Sequence, residues 1–283
     1  MTTDFGITIA GTSVPPFLYG TAWKENDTQR CVEDALAAGF RGIDTANQRR
    51  HYFEEGVGAA ITKTLSGGKI TREDLFLQTK FTSIDGQDNR LPYDPRAPVD
   101  AQVKQSFASS LEHLHTSFLD SYVLHGPSSS RGLTSDDWSI WRAMEGLYRE
   151  GKVRLLGVSN VSLEQLHMLC ESAKVKPAFV QNRCFARRGW DLDIRAYCRA
   201  NKVIYQGFSL LTANQQIFDR PRFLEIVDRV GCTPAQAVFR FALQVGMLPL
   251  TGTTDPIHMR EDLESVKFEL SDRDVQTIEG LLI

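Results

Sequence analysis

The chain has 283 residues, 42% of them apolar, and 32 basic against 35 acidic residues leave a net charge of −3. That is ample for a core and too apolar for a disordered chain; the charge balance excludes a broad footprint for nucleic acid or an anionic membrane. No apolar run approaches the roughly 20 residues of a membrane-spanning helix.

Met1-Thr2-Thr3-Asp4 shows no basic-then-apolar leader. The cysteines (Cys31, Cys170, Cys184, Cys198, Cys232) are odd in number and scattered. That suits reduced thiols, so a cytoplasmic location is expected.

A small hairpin comes first, Ile7-Thr8-Ile9 turning at Ala10-Gly11-Thr12, placed to plug one end of a barrel. Eight short apolar runs then read as strands buried on both faces: 17–23, 42–45, 75–80, 121–125, 155–159, 178–182, 203–208 and 247–250. Helical patterns alternate with them at 27–38, 54–63, 99–115, 136–150, 163–173, 192–200, 234–244 and 257–264. A last helix is expected from 272 to 279, capped by Ser271.

Ser162-Leu163-Glu164-Gln165 and Thr233-Pro234-Ala235-Gln236 fit capping boxes. Gly39, Gly67 and Gly151 follow helices where a left-handed residue is often needed.

Eight strand–helix units without a long linker predict a single (β/α)8 TIM barrel domain over 1–283, with the short N-terminal hairpin. The alternative, an open doubly wound sheet, calls for a glycine-rich turn after its first strand. That strand instead ends in Thr21-Ala22-Trp23. Gly56-Val57-Gly58 lies inside a helix and reads as tight helix packing.

Chemistry-bearing residues gather at strand ends. Asp44 sits in Gly42-Ile43-Asp44-Thr45-Ala46, with Tyr52 shortly after; Lys80 closes Thr79-Lys80; His125 opens His125-Gly126-Pro127. An acid, a phenol, an ammonium and an imidazole at one face could protonate a carbonyl oxygen while a hydride attacks its carbon. A nearby ammonium is expected to lower the phenol's pKa from its usual value near 10. No metal-binding cluster and no G-x-S-x-G motif occurs.

These motifs, with Gly157-Val158-Ser159-Asn160, Val180-Gln181-Asn182, Gly207-Phe208-Ser209-Leu210 and Leu248-Pro249-Leu250-Thr251-Gly252-Thr253-Thr254, resemble the aldo-keto reductases over essentially the whole length. The resemblance implies an NAD(P)H-dependent reductase acting on an aldehyde, ketone or keto ester. It makes Tyr52 the general acid, supported by Lys80, Asp44 and His125. Tyr52 lies eight residues after Asp44, farther than in the family's commonest form, and His51 competes for the role. Arg49 and Arg50 read as a solvated loop, or as an attractor for an anionic substrate.

The same resemblance places Ser159, Asn160 and Gln181 at the nicotinamide carboxamide, Phe208 on its ring, and Ser209, Leu210 and Thr212 beside the pyrophosphate. Gly252, Thr253, Thr254, His258 and Asp262 fall at the adenosine end, with Asp255 set to repel a phosphate. NADPH is favoured, with NADH or dual use left open. Trp23, Phe53, Phe81, Tyr93 and Trp190 are candidates for the substrate pocket, whose expected occupant is a small-molecule carbonyl compound. Only Gly280-Leu281-Leu282-Ile283 follow the last helix, which implies a more open pocket. No nucleic-acid or membrane partner is expected, and the protein is taken as a monomer or weak homo-oligomer. The competing reading is a nucleotide-binding regulatory subunit of a protein complex.

Overall fold

The computed structural model describes residues 6–282. β1 (Ile7–Ile9) and β2 (Thr12–Val14) pair antiparallel. Their turn uses Ala10 and Gly11 at φ 47° and 80°, the left-handed pair that a tight hairpin demands. Val14 is buried in one cluster with Leu18, Phe76, Leu155, Phe179, Leu248 and Leu250, most of them in the N-terminal halves of their strands. The hairpin therefore seals that end.

The other strands are β3 (Leu18–Gly20), β4 (Gly42–Asp44), β5 (Phe76–Phe81), β6 (Leu119–Leu124), β7 (Val153–Ser159), β8 (Phe179–Arg183), β9 (Ile204–Phe208) and β10 (Met247–Thr251). They close into a parallel barrel in the order β10-β3-β4-β5-β6-β7-β8-β9. All eight predicted strands are present, with shifted ends. Every residue of β5 and β6 is buried, as expected for strands covered by barrel interior and outer helices.

The helices are α1 (Thr28–Ala38), α2 (Glu54–Ser66), α3 (Val99–His113), α4 (Ser135–Arg149), α5 (Leu163–Ser172), α6 (Leu192–Ala200), α7 (Pro221–Val230), α8 (Pro234–Gln244), α9 (Pro256–Glu264) and α10 (Asp272–Gly280). The capping boxes at Ser162 and Thr233 form. Gly67 departs from expectation at φ −72°; the left-handed residue there is Gly68, at φ 69°. Helix α7 was not anticipated. Pro221 at its start, Gly231 beyond its end and a buried Phe223–Ile226–Val227 face were its available signals.

The glycines of α2 do serve packing. A Cβ on Gly58 would fall 1.9 Å from the His113 carbonyl oxygen at the end of α3. No helix among the described residues is long and apolar enough to cross a membrane.

Candidate active site

Strands alternate their side chains, so Asp44, Gln78, Lys80, Gln181 and Gln206 all point into the barrel. Lys80 is fully buried and Asp44 nearly so. The Lys80 ammonium donates to Asp44 Oδ1 (2.8 Å), Asp44 Oδ2 (2.7 Å) and the Thr45 carbonyl (2.8 Å). That uses all three of its hydrogens.

Asp44 Oδ1 also accepts from Gln78 Nε2 (2.7 Å) and Gln181 Nε2 (3.0 Å). Gln206 joins both amides, its Oε1 accepting from Gln78 at 2.8 Å and Gln181 at 2.9 Å. Neither Gln78 nor Gln206 was singled out from the sequence. Burial lowers the Lys80 pKa, and the Asp44 carboxylate opposes that fall.

Tyr52 lies above this pair. Its ring centroid is 5.2 Å from Lys80 Nζ and 6.0 Å from the His125 ring, edge to face. Residues 48–52 close a tight turn, with the His51 and Tyr52 amides donating to the Gln48 carbonyl at 3.1 and 3.0 Å. The lengthened segment loops outward there and returns Tyr52 to the strand ends. His51 instead stacks on Trp23, ring centroids 3.9 Å apart.

The phenol's pKa is raised, not lowered, by burial and by the Asp44 charge. Burial and the Asp44 charge outweigh the lowering expected of the Lys80 ammonium. Tyr52 therefore stays protonated. His125 hydrogen-bonds the Thr82 hydroxyl through Nδ1 (2.6 Å). Burial, then Lys80 and His51, hold its pKa down to about 3, so its imidazole is neutral near pH 7.

Tyr52 and His125 open on a cavity of about 640 Å³ at the C-terminal face. Of the residues expected at a cofactor, Ser159, Asn160, Gln181, Phe208, Ser209, Leu210, Thr212, Gly252, Thr253 and Thr254 line it. Trp23, Asn160 and Ser209, all at its wall, hold left-handed backbone at φ 63°, 55° and 56°. Such strain in non-glycine residues concentrates at functional sites.

The hydrogen bonds here fit a nicotinamide. The Gln181 amide spends both hydrogens on Asp44 and Gln206, and the Ser159 hydroxyl donates to the Gln181 carbonyl (2.6 Å). Both side chains are left with acceptor lone pairs, the complement of a carboxamide NH₂. Lys24, buried and donating to the Gly252 carbonyl (2.7 Å), adds a cation to the opposite side of the cavity. It was overlooked, although a basic residue just beyond a strand end was a readable signal.

Several expectations need correction. His258 is exposed on α9 and does not line the cavity. Asp262 lies beneath that helix, buried, accepting from Thr251 Oγ1 (2.7 Å). Asp255 caps α9, accepting from the Ile257 amide (2.7 Å), so its charge is directed at the helix N-terminus.

Of the candidate substrate aromatics, only Trp23 lines the cavity, 71% exposed. Phe81 points away from the barrel axis and packs on Tyr93, whose hydroxyl donates to the Thr82 carbonyl (2.9 Å). Phe53 lies outside the cavity wall under the Arg49 guanidinium, 4.4 Å from its ring centroid. Trp190 is fully buried, its indole donating to the Ile278 carbonyl (3.1 Å). Arg49 also lies 3.6 Å from Glu25, so it is not a free anion attractor.

The sequence model of the aldo/keto reductase family matches residues 11–283. The chain belongs to that family. It is 30% identical to a glyoxal reductase of Bacillus subtilis over 274 residues, covering 96% of this chain and 90% of that protein. It is 28% identical to the methylglyoxal reductase DkgA of Salmonella typhimurium over 261 residues, 91% of this chain and 86% of that one.

Among solved structures, an aldo/keto reductase from Brucella melitensis superposes with a TM-score of 0.82 at 26% identity, covering 98% of this chain and 99% of the other. A second aldo-keto reductase, complexed with NADPH, gives 0.83 at 25% identity, covering 98% and 87%. Nothing in these relationships supports a regulatory subunit.

Proposed function

We propose that this aldo/keto reductase uses NADPH to reduce small aldehydes, ketones or keto esters, with Tyr52 as the proton donor. The observation that carries this is the Tyr52 phenol in the cavity, above the buried Lys80–Asp44 pair and beside His125. When bound, the nicotinamide supplies the hydride. Tyr52, at the cavity wall, would give its phenolic proton to the substrate's carbonyl oxygen. Lys80 stabilises the phenolate left behind, and His125 orients the carbonyl by hydrogen bonding.

Ser159, Asn160 and Gln181 hold the carboxamide, Phe208 stacks on its ring, and Ser209 to Thr212 follow the pyrophosphate. Gly252, Thr253, Thr254 and Lys24 hold the phosphate end. The names of the glyoxal and methylglyoxal reductase relatives point to small dicarbonyls as substrates. The free cysteines, four of five buried, suit a cytoplasm. The assembly that goes with this reading is a monomer or weak homo-oligomer.

The test is NADPH oxidation with methylglyoxal by wild type, Tyr52→Phe and His51→Ala. Loss of turnover in Tyr52→Phe, with nucleotide binding retained and His51→Ala active, is expected. Full activity in Tyr52→Phe would remove the phenol from the mechanism.

A further inference from the structure

At the end of β8 the chain places three arginines in one short loop: Arg183, Arg187 and Arg188, all exposed. Their guanidinium carbons lie 5.5, 5.1 and 5.2 Å from the centroid of a single ring, Phe185. Cations gathered this way repel one another. Each interacts favourably with the π face, but that face cannot neutralise three charges. None of the three side chains makes an ion pair or hydrogen bond among the described residues.

The loop is firmly built. Gly189, Trp190 and Asp191 are consecutive left-handed residues at φ 66°, 54° and 54°, a costly conformation for the two that are not glycine. Trp190 anchors them in the core, and Arg195 Nε donates to its carbonyl (2.7 Å). Asn214 ties the other side, accepting from the Ala186 amide (2.7 Å) and donating to the Cys184 carbonyl (2.9 Å).

Arg183 lines the reductase cavity. It follows Gln181 by two residues, so strand alternation turns it toward the barrel mouth. Strand β8 adjoins β7, which ends at Ser159, whereas Lys24 and Gly252 follow β3 and β10, beyond β9. The arginines thus flank the nicotinamide side of the cavity, where the reacting carbonyl would lie.

We propose that Arg183, Arg187 and Arg188 form an anion site at the cavity mouth that selects carbonyl substrates bearing a carboxylate or phosphate away from the reacting group. This deepens the reductase reading and rests on it. Arg183 makes the direct contact, and Arg187 and Arg188 raise the local positive potential and the capture rate.

The test compares 4-carboxybenzaldehyde with its methyl ester, 4-(methoxycarbonyl)benzaldehyde, in the NADPH-loaded enzyme. The two share a ring and an aldehyde and differ by one charge. Wild type is expected to favour the acid by about tenfold in kcat/KM, an advantage that shrinks as salt is added. R183Q/R187Q/R188Q should lose that preference, its acid-to-ester ratio of kcat/KM falling to about one, while R183K/R187K/R188K should keep part of it.

Equal kcat/KM for acid and ester in wild type would overturn the anion site and leave the reductase reading standing. A loss of NADPH affinity that weakens both aldehydes equally would overturn it too, assigning the arginines to the cofactor. If neither aldehyde is reduced, calorimetry with 4-(hydroxymethyl)benzoate and its methyl ester decides. Binding of the acid alone, lost in the glutamine variant, upholds the site without any turnover; equal binding overturns it.

Discussion

The Lys80 ammonium lies 2.7 Å from Asp44 Oδ2 inside the barrel, so two adjacent strands share one buried ion pair beneath the Tyr52 ring. Removing one partner leaves the other charged in a dry interior. Lys80→Met is therefore expected to cost about 3–5 kcal/mol. The double variant Asp44→Asn/Lys80→Met should cost less than the sum of the two single variants. Urea unfolding of the four proteins measures the coupling, and strict additivity would show that the pair does not act as a unit.

His125 is expected to stay neutral across the assay range, since burial, Lys80 and His51 hold its pKa to about 3. Its imidazole resonances, assigned with His125→Gln, should show no midpoint between pH 5 and 8. A midpoint near the ordinary histidine value of about 6.5 would mean that the site is wetter than its geometry shows.

Asp262 carries the opposite kind of strain. Burial raises its pKa from 3.8 to about 6, although Thr251 donates to it. A carboxyl whose pKa rises on folding stabilises the native state below its unfolded value, and that contribution is lost as pH climbs through about 6. Asp262→Asn keeps an acceptor without the charge. It should stabilise the fold at pH 8 by up to about 3 kcal/mol, and the difference should vanish below pH 4. Thermal melts at both pH values check this; equal Tm gains at each would exclude the linkage.

Gly58→Ala should destabilise strongly, because the new methyl meets backbone of the α2–α3 contact, 1.9 Å from the His113 oxygen. A loss of about 1–3 kcal/mol or more is expected. Gly56→Ala should lose less, since its nearest neighbours are side-chain atoms of Phe53 and Thr28 at 3.1 Å. Denaturant midpoints for the two variants give the order, and a reversed order would contradict the packing.

The strands were legible because barrel strands bury both faces and read as short apolar runs. The three groups around Tyr52 were legible because each stands at or just beyond the end of such a run. The amide network was not. Gln78 and Gln206 interrupt apolar strands; strand register sets Gln78 beside Asp44, and only closure of the barrel brings Gln206 to Gln78.

Phe81 and Trp190 lie off the cavity for two different reasons. Phe81 follows inward-facing Lys80, so alternation already directed it outward. Trp190 sits on left-handed backbone that no periodicity encodes. Helix α7 escaped because strand–helix alternation allots one helix per strand, and here α7 and α8 both lie between β9 and β10.

The turn at residues 48–52 also bears on how such enzymes are found and reshaped. Lys80 and His125 are fixed by their strands, and together they set where a phenol must arrive, whatever route the chain takes from Asp44. The stretch between Asp44 and Tyr52 is therefore a tether with slack, free to gain or lose residues provided its end returns to the same point in space. A search keyed to one fixed interval between acid and phenol would pass over this protein; one keyed to the strand ends would find it.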